Sequence, residues 1–545
     1  MPQPIIFQRA PLVQSEALPL NPGQVLLTGE LFEQILSSVP EHLTPDCLEG
    51  AVRLSACGAD AQAQAAVSAA LQAQIGTQAE DGSFPLSMTE SLAVCRAAWF
   101  QAMESGDRGL FSAVNRWLNW LGGHYELLQS EAAILRRPAD LAELLLLNYR
   151  QLGTQGALRL LARLRRDAED WASRLGSFSL DRPVNRRQME EGLAQADSAQ
   201  RAYWERMAEL SDPAVLADGF RAVHCFSRYS GNRTEAEAGE RAWSRISRWH
   251  GVACGGVTGV DRLAGKSPAA LIGPDAAGAW MEALAPYAAD GESWAADALE
   301  RILVNALPAV TGRGACAVNR IPDGEKAAAP TVTGRLLRGF AAAAQAAVAA
   351  ETDGCTVRAA LPGVYGLLVN GERVRLRITC AHDALTVGIH PDHPAKMRLT
   401  VRVPAWMEQV HITLNGAECG TVRDGSCTLE QTWRDGDRLT VSFTRALRVE
   451  SGYHQSLAVY DGPVLMALPV QAGEPWAFCL AGAGRKEEGG VEAELIPVEG
   501  WRAADGQPAD VPVLPKHCGE SVRRTLVPFA SPDAGMAVFA GNAKA

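Results

Sequence analysis

The hydrophobic period of this chain changes once, near Thr352, and that change limits what it can fold into. From about Leu31 to about Ala350, apolar residues recur at three- and four-residue steps, the spacing that gathers them on one face of an α-helix. Leu161, Leu164, Ala168, Trp171 and Leu175 form one such stripe. Start signals agree with the period: Ser87 and Glu90 have the spacing of a capping box, and Asp212-Pro213 puts a cap residue before a first-turn proline. Beyond Thr352 the period is two. Val374, Leu376 and Ile378 alternate with Arg373, Arg375 and Arg377, and Met397, Leu399, Val401 and Val403 alternate with Arg398, Thr400 and Arg402, the pattern of half-buried strands. Asn370-Gly371 and Asn415-Gly416 fall between such runs and predict tight antiparallel hairpins.

The expected fold class is therefore α+β and multidomain. Helices in consecutive hairpins suit an α/α barrel or an α-solenoid, and no fixed repeat favours the solenoid. Residues 1–352 are assigned to the helical barrel and 353–470 to an antiparallel β-sandwich. Strand character returns at RRTLVPFA and GMAVFA, so 471–545 is read as a segment completing the β region. At 545 residues and 47% hydrophobic content, the chain can bury more than one core.

Charge and cysteine usage exclude several function classes. The net charge of -11 is spread along the chain, and no basic run carries interleaved aromatics, so neither nucleic acid nor an anionic membrane is an expected partner. The stretch MPQPIIFQRAPLVQ lacks the pattern of a secretory signal and no apolar run has the length of a membrane span, which gives a cytoplasmic expectation. The twelve cysteines are scattered singly without C-x-x-C, so neither a disulfide framework nor a metal or other cofactor is expected. Cys225 and Cys380 read as buried, reduced thiols.

The run HGVACGGVTGVDRLAGKSP comes close to a phosphate-binding loop without being one. Val260 stands where the first glycine should be, and no β-branched strand feeds the loop. What remains is a small-residue loop carrying Asp261 between His250 and Lys266.

Several runs resemble glycoside hydrolase family 127, the β-L-arabinofuranosidase family. They are LERILVNALPA (Leu299–Ala309), RVPAWMEQVHITLNGA, TWRDGD near Trp433, LAVYDGPVLMAL near Pro463 and LVPFASPDAGMAVFA, with AEDGSF around Asp81 and DRLAGKSP beside them, in the family's order over most of the chain. The resemblance implies an (α/α)6 barrel with a sugar pocket among its inter-helix loops and a sandwich packed beside it. It also implies a glutamate acid/base and a zinc-bound cysteine nucleophile, with zinc held by Glu-x-Cys on a helix and by a later Cys-Cys pair. This sequence departs from that pattern. The helix after the loop reads LIGPDAAGAWMEAL, and Ala328 and Ala329 stand where the Cys-Cys pair belongs. Cys316, in the shortened connection before them, reads as structural.

The expected function is hydrolysis of a β-L-arabinofuranoside-like bond in the barrel pocket. The alternative is a catalytically inactive homologue that binds carbohydrate or serves as a partner subunit. Asp261 falls near the resemblance's acid position, with Glu282, or Asp275 before it, as the second carboxylate that a glycosidase needs. His250, Trp280 and His124 are the candidate sugar contacts; Trp117 and Trp120 are expected to pack. Structural readings of the same residues stand beside these: Asp261 capping its loop, His250 closing a helix, Trp280 in the core. Exposed strand edges would allow a homodimer.

Overall fold

The computed structural model describes residues 18–37, 39–40, 43–177, 180–319, 332–469, 477–485, 490–499 and 516–541. Six helices form a closed inner ring: Pro45–Ala56, Met88–Ser105, Ala139–Leu152, Pro213–Ser230, Pro274–Ala289 and Gly334–Ala346. Each packs on the next, and the last packs on the first. Outer helices, among them Ala61–Ile75, Arg108–Gly123, Gln155–Asp167, Arg233–His250 and Ser293–Arg301, alternate with them along the chain, which makes the (α/α)6 barrel. The sorting follows composition. In GRLLRGFAAAAQA of the sixth inner helix all but Arg335 are buried, as an inner element with neighbours on every side must be. The Arg233–His250 helix is charged on one face and turns Ala238, Ala242 and Ile246 inward.

Small residues set how tightly the ring closes. A Cβ added to Gly339 would lie 2.1 Å from the Gly278 carbonyl oxygen, and one on Gly334 would lie 2.3 Å from that of Asp46. The sixth inner helix thus touches the fifth and the first backbone to backbone. Gly339→Ala is expected to destabilise the protein by about 1–2 kcal/mol, because overpacking a close contact outweighs the helix propensity gained. A lowered urea midpoint would show it, whereas an unchanged midpoint would mean that the helices separate freely.

Both expected helix starts are present. Ser87 and Glu90 close a capping box, and the Asp212 side chain accepts from the Ala214 and Val215 amides ahead of Pro213. The stripe from Leu161 to Leu175, expected on one helix, is divided between two. Gln155–Asp167 ends with Ala168 as its cap, and Asp170 starts Trp171–Gly176 by accepting from the Ser173 amide. A local side-chain cap has overridden a continuous apolar period.

Among the described residues the β region holds three sheets. The sandwich pairs a seven-stranded sheet, running from Ala417–Glu418 to Val25–Leu27, with a five-stranded one, running from Leu18–Pro19 to Ser426–Trp433. Val374, Leu376 and Ile378 are buried and the intervening arginines are not. Asn370 and Asn415 take the positive φ that their turns require, at 52° each. Leu447–Ser451, Leu457–Asp461 and Val464–Pro469 do not join the sandwich. They pair in a nine-stranded sheet with strands near the C-terminus, among them Val522–Pro528 and Val538–Phe539. This sheet has its own core around Val459, Phe478 and Leu526. The sheets therefore divide near 446 instead of at the expected 470, and residues 18–27, placed with the helices from sequence, supply edge strands to the sandwich. Among the described residues no helix is long and apolar enough to cross a membrane.

Candidate functional site

The inner helices all begin at the same end of the ring, and the first charged residues of several line a cavity of about 620 Å³ there, among them Asp46, Asp140, Asp275 and Arg335. Helix N-termini carry partial positive charge, so carboxylates in their first turns are stabilised by that field. Asp275 and Asp46 are exposed in this mouth, with Arg136 and Arg137 at its rim.

The floor of the mouth is a largely buried ion network, of which Asp140, Asp218, Arg335 and Arg338 line the cavity itself. Glu49 and Arg53 come from the first inner helix, Arg96 from the second, Asp140 and Glu143 from the third. Asp218 and Arg221 come from the fourth, Glu282 from the fifth, and Arg335 and Arg338 from the sixth. The spacings of three and four residues put each pair on the face that looks toward the barrel axis. Arg96 meets Glu49 at 2.7 Å and Glu143 at 2.9 Å. Arg338 bridges Asp140 at 2.6 Å and Glu282 at 2.9 Å. Arg335 pairs with Asp218 at 2.6 Å, and Arg221 contacts both Glu282 and Asp140. Five carboxylates and five guanidinium groups balance, as buried charge must.

The network holds three of its acids ionised. Burial alone would raise the Glu282 carboxyl, but Arg221 and Arg338 beside it outweigh burial and hold it down to about 2. Burial likewise opposes the neighbouring arginines at Asp140 and Glu143, and both carboxyls still end below their ordinary range. A carboxylate clamped in this way is a poor proton donor at neutral pH. Asp212 goes the other way: burial raises its carboxyl against the Ala214 and Val215 amides, near the Arg137 and Arg335 that line the mouth.

The sequence candidates are distributed over different places. Asp275 lines the mouth. Glu282 lies in the network, 3% exposed, so its carboxylate serves arginines and not an open pocket. Asp261 is exposed on its loop and is not among the residues lining the mouth. The expectation of His250 as a sugar contact is corrected. Its ring is fully buried, with Nε2 2.6 Å from the Leu180 carbonyl oxygen and Nδ1 accepting from the Gly265 amide at 3.1 Å, so it pins the Gly251–Gly273 loop to the barrel. Burial pushes this imidazole down to about 4, which keeps it neutral. Trp280 is corrected too: it is fully buried between Phe220 and Trp243, with ring centroids 5.6 and 5.3 Å away. His124 is exposed at the end of the Arg108–Gly123 helix, where its ring stacks on Trp120 and Nδ1 lies 2.9 Å from the Trp120 carbonyl oxygen.

Sequence reasoning missed nine of the ten network residues. The signal was there: a charge such as Arg96 in SLAVCRAAWF, or Asp218 with Arg221 in VLADGFRAV, sits inside an otherwise apolar helix.

A thiolate–zinc centre does not fit this site. Among the described residues that line the mouth there is no cysteine and no histidine. Asp140, Glu143 and Glu282 come within 4.8 Å of one another, but Arg96, Arg221 and Arg338 already occupy their oxygens. Ala328 and Ala329 lie outside the described residues. Cys316 is buried, and burial pushes its thiol up to about 11, so it stays protonated at neutral pH and structural as expected.

The motifs behind the family resemblance lie away from the mouth. The Asn305 side chain of LERILVNALPA donates to the Pro463 carbonyl and accepts from the Leu465 amide of LAVYDGPVLMAL, at 3.1 and 2.8 Å. Trp406 of RVPAWMEQV donates to Glu300 at 2.9 Å, and Arg313 donates to the Phe529 carbonyl in LVPFASPDAGM, also at 2.9 Å. These runs fasten the β region to the barrel.

Comparison with known proteins agrees with that architecture. Residues 370–445 match the family described as β-L-arabinofuranosidase, GH127 middle domain. A solved glycoside hydrolase superposes with a TM-score of 0.71 at 14% identity, covering 98% of this chain and 100% of its own. A GH127 β-L-arabinofuranosidase from Geobacillus stearothermophilus T6 gives 0.64 at 14% identity, covering 95% and 92%. A further GH127 β-arabinofuranosidase gives 0.62 at 12% identity, covering 98% and 97%. No curated protein sequence matches the chain.

Proposed function

We propose that this chain, a GH127-like protein with the fold of the β-L-arabinofuranosidases, binds a saccharide at the barrel mouth and does not hydrolyse it by the thiolate–zinc route. The observation that carries this reading is the clamped floor. Glu282, Asp140 and Glu143 are each held ionised by arginines, and no cysteine or histidine lines the mouth among the described residues. The mouth itself offers exposed Asp275 and the Arg136–Arg137 rim as hydrogen-bond partners for sugar hydroxyls.

Isothermal titration with neutral pentoses, hexoses and their disaccharides tests the binding. Asp275→Asn and Arg137→Gln are each expected to weaken it about tenfold, the loss of one charge-assisted hydrogen bond. A parallel panel of aryl glycosides, led by the β-L-arabinofuranoside with and without zinc, is expected to show no turnover. Zinc-dependent turnover would defeat the reading. A second reading, hydrolysis by a carboxylate pair, is favoured by the raised carboxyl of Asp212 beside the mouth. Zinc-independent turnover abolished by both Asp212→Asn and Asp275→Asn would establish it instead.

A further inference from the structure

We propose that a second cavity, between the outer face of the barrel and the C-terminal sheet, is a separate site for a neutral mono- or disaccharide. It rests on the reading of the chain as a saccharide binder, but on different residues. The cavity is about 410 Å³, within the range of small-ligand pockets. Trp243, from the Arg233–His250 helix, and Trp294, from Ser293–Arg301, line it with rings stacked at 6.4 Å and 29°, both half-buried. Arg301 and Glu450 meet in it at 2.6 Å, each one-third exposed. Their geometry is fixed from behind: Tyr460 lies under the Arg301 guanidinium at 5.0 Å, and Arg448 contacts Glu450 at 3.2 Å.

Charge decides the class of ligand. Among the described residues the charged ones lining it are Lys266, Asp297, Arg301 and Glu450, whose formal charges cancel; Asp297 is also paired with Arg402, as Glu450 is with Arg448. An anion would meet two carboxylates, a cation would meet two positive groups, and an apolar ligand would strip water from an ion pair without replacing it. A neutral polyol satisfies both partners of the pair, since each hydroxyl donates and accepts. Its C–H face also matches the flat apolar surface of indole rings. A sugar combines these properties at this size.

The test is a titration of the same panel of neutral pentoses, hexoses and disaccharides, followed by tryptophan fluorescence and calorimetry. Wild type is expected to show two classes of site. Glu450→Gln should weaken one class about tenfold, removing its fluorescence change, while Asp275→Asn weakens only the other. Asp297→Asn, at an exposed side chain, provides the same readout should Glu450→Gln fail to fold. Wild-type binding in both Glu450→Gln and Asp297→Asn would overturn this proposal, and so would a single class of site that responds only to Asp275→Asn, leaving the mouth reading intact. If no panel sugar binds the wild-type protein, both proposals fall.

Discussion

Glu282→Ala is expected to destabilise the barrel by about 3–5 kcal/mol, the effect of removing one member of a buried ion network and leaving its partners unpaired. Arg221 and Arg338 are 3% and 8% exposed at their side chains, so water cannot replace the carboxylate. The loss should appear as a lower urea midpoint in far-UV circular dichroism, which follows the helices. A change under 1 kcal/mol would mean that Asp140 and Glu49 take up both guanidinium groups without cost, and that the network is looser than its distances imply. Glu282→Gln keeps the shape and one acceptor oxygen for the arginines; it should retain part of the lost stability.

The same network makes the protein acid-sensitive in a defined window. Glu282 drops from an ordinary 4.5 to about 2 on folding, against the opposing effect of burial. A carboxyl lowered in the folded state adds stability at any pH above its unfolded value, and that contribution is lost as pH falls toward the folded value. The stabilisation that Glu282 shares with its neighbouring acids is therefore lost as pH falls from 4.5 toward 2. Asp140 and Glu143 act in the same direction. Urea denaturation at stepped pH should show stability falling steeply over that window in wild type and less steeply in Glu282→Gln. Equal slopes would rule out Glu282 as a main source of the acid response.

The helix and strand periods and the two Asn-Gly turns were legible because each is a local pattern with a single physical cause. The barrel mouth was only partly so. Asp275 was legible only as a possible second carboxylate, and its place in a first helical turn came from the structure; the network depends on six helices meeting at one axis, which no local window contains. His250 and Trp280 were misassigned for a related reason. A histidine at a helix end and a tryptophan on a helix look the same in sequence whether they face a cavity or a neighbouring helix. The sheet boundary was missed because Leu457–Asp461 reads as one more strand after those of the sandwich, while it pairs with residues near the C-terminus.

Leu18–Pro19 pairs with Ala349–Ala350, and Val25–Leu27 with Gly363–Tyr365. Ribosomes extend a chain at about 5–20 residues per second, so these first strands are made roughly 15–70 s before their partners exist. Through that interval the barrel helices emerge and can assemble, while the amino-terminal strands keep open hydrogen-bonding edges. Maturation of the β region is thus gated by translation of the last third of the chain, and a ribosome stalled before residue 350 leaves an unpaired edge exposed to other nascent chains.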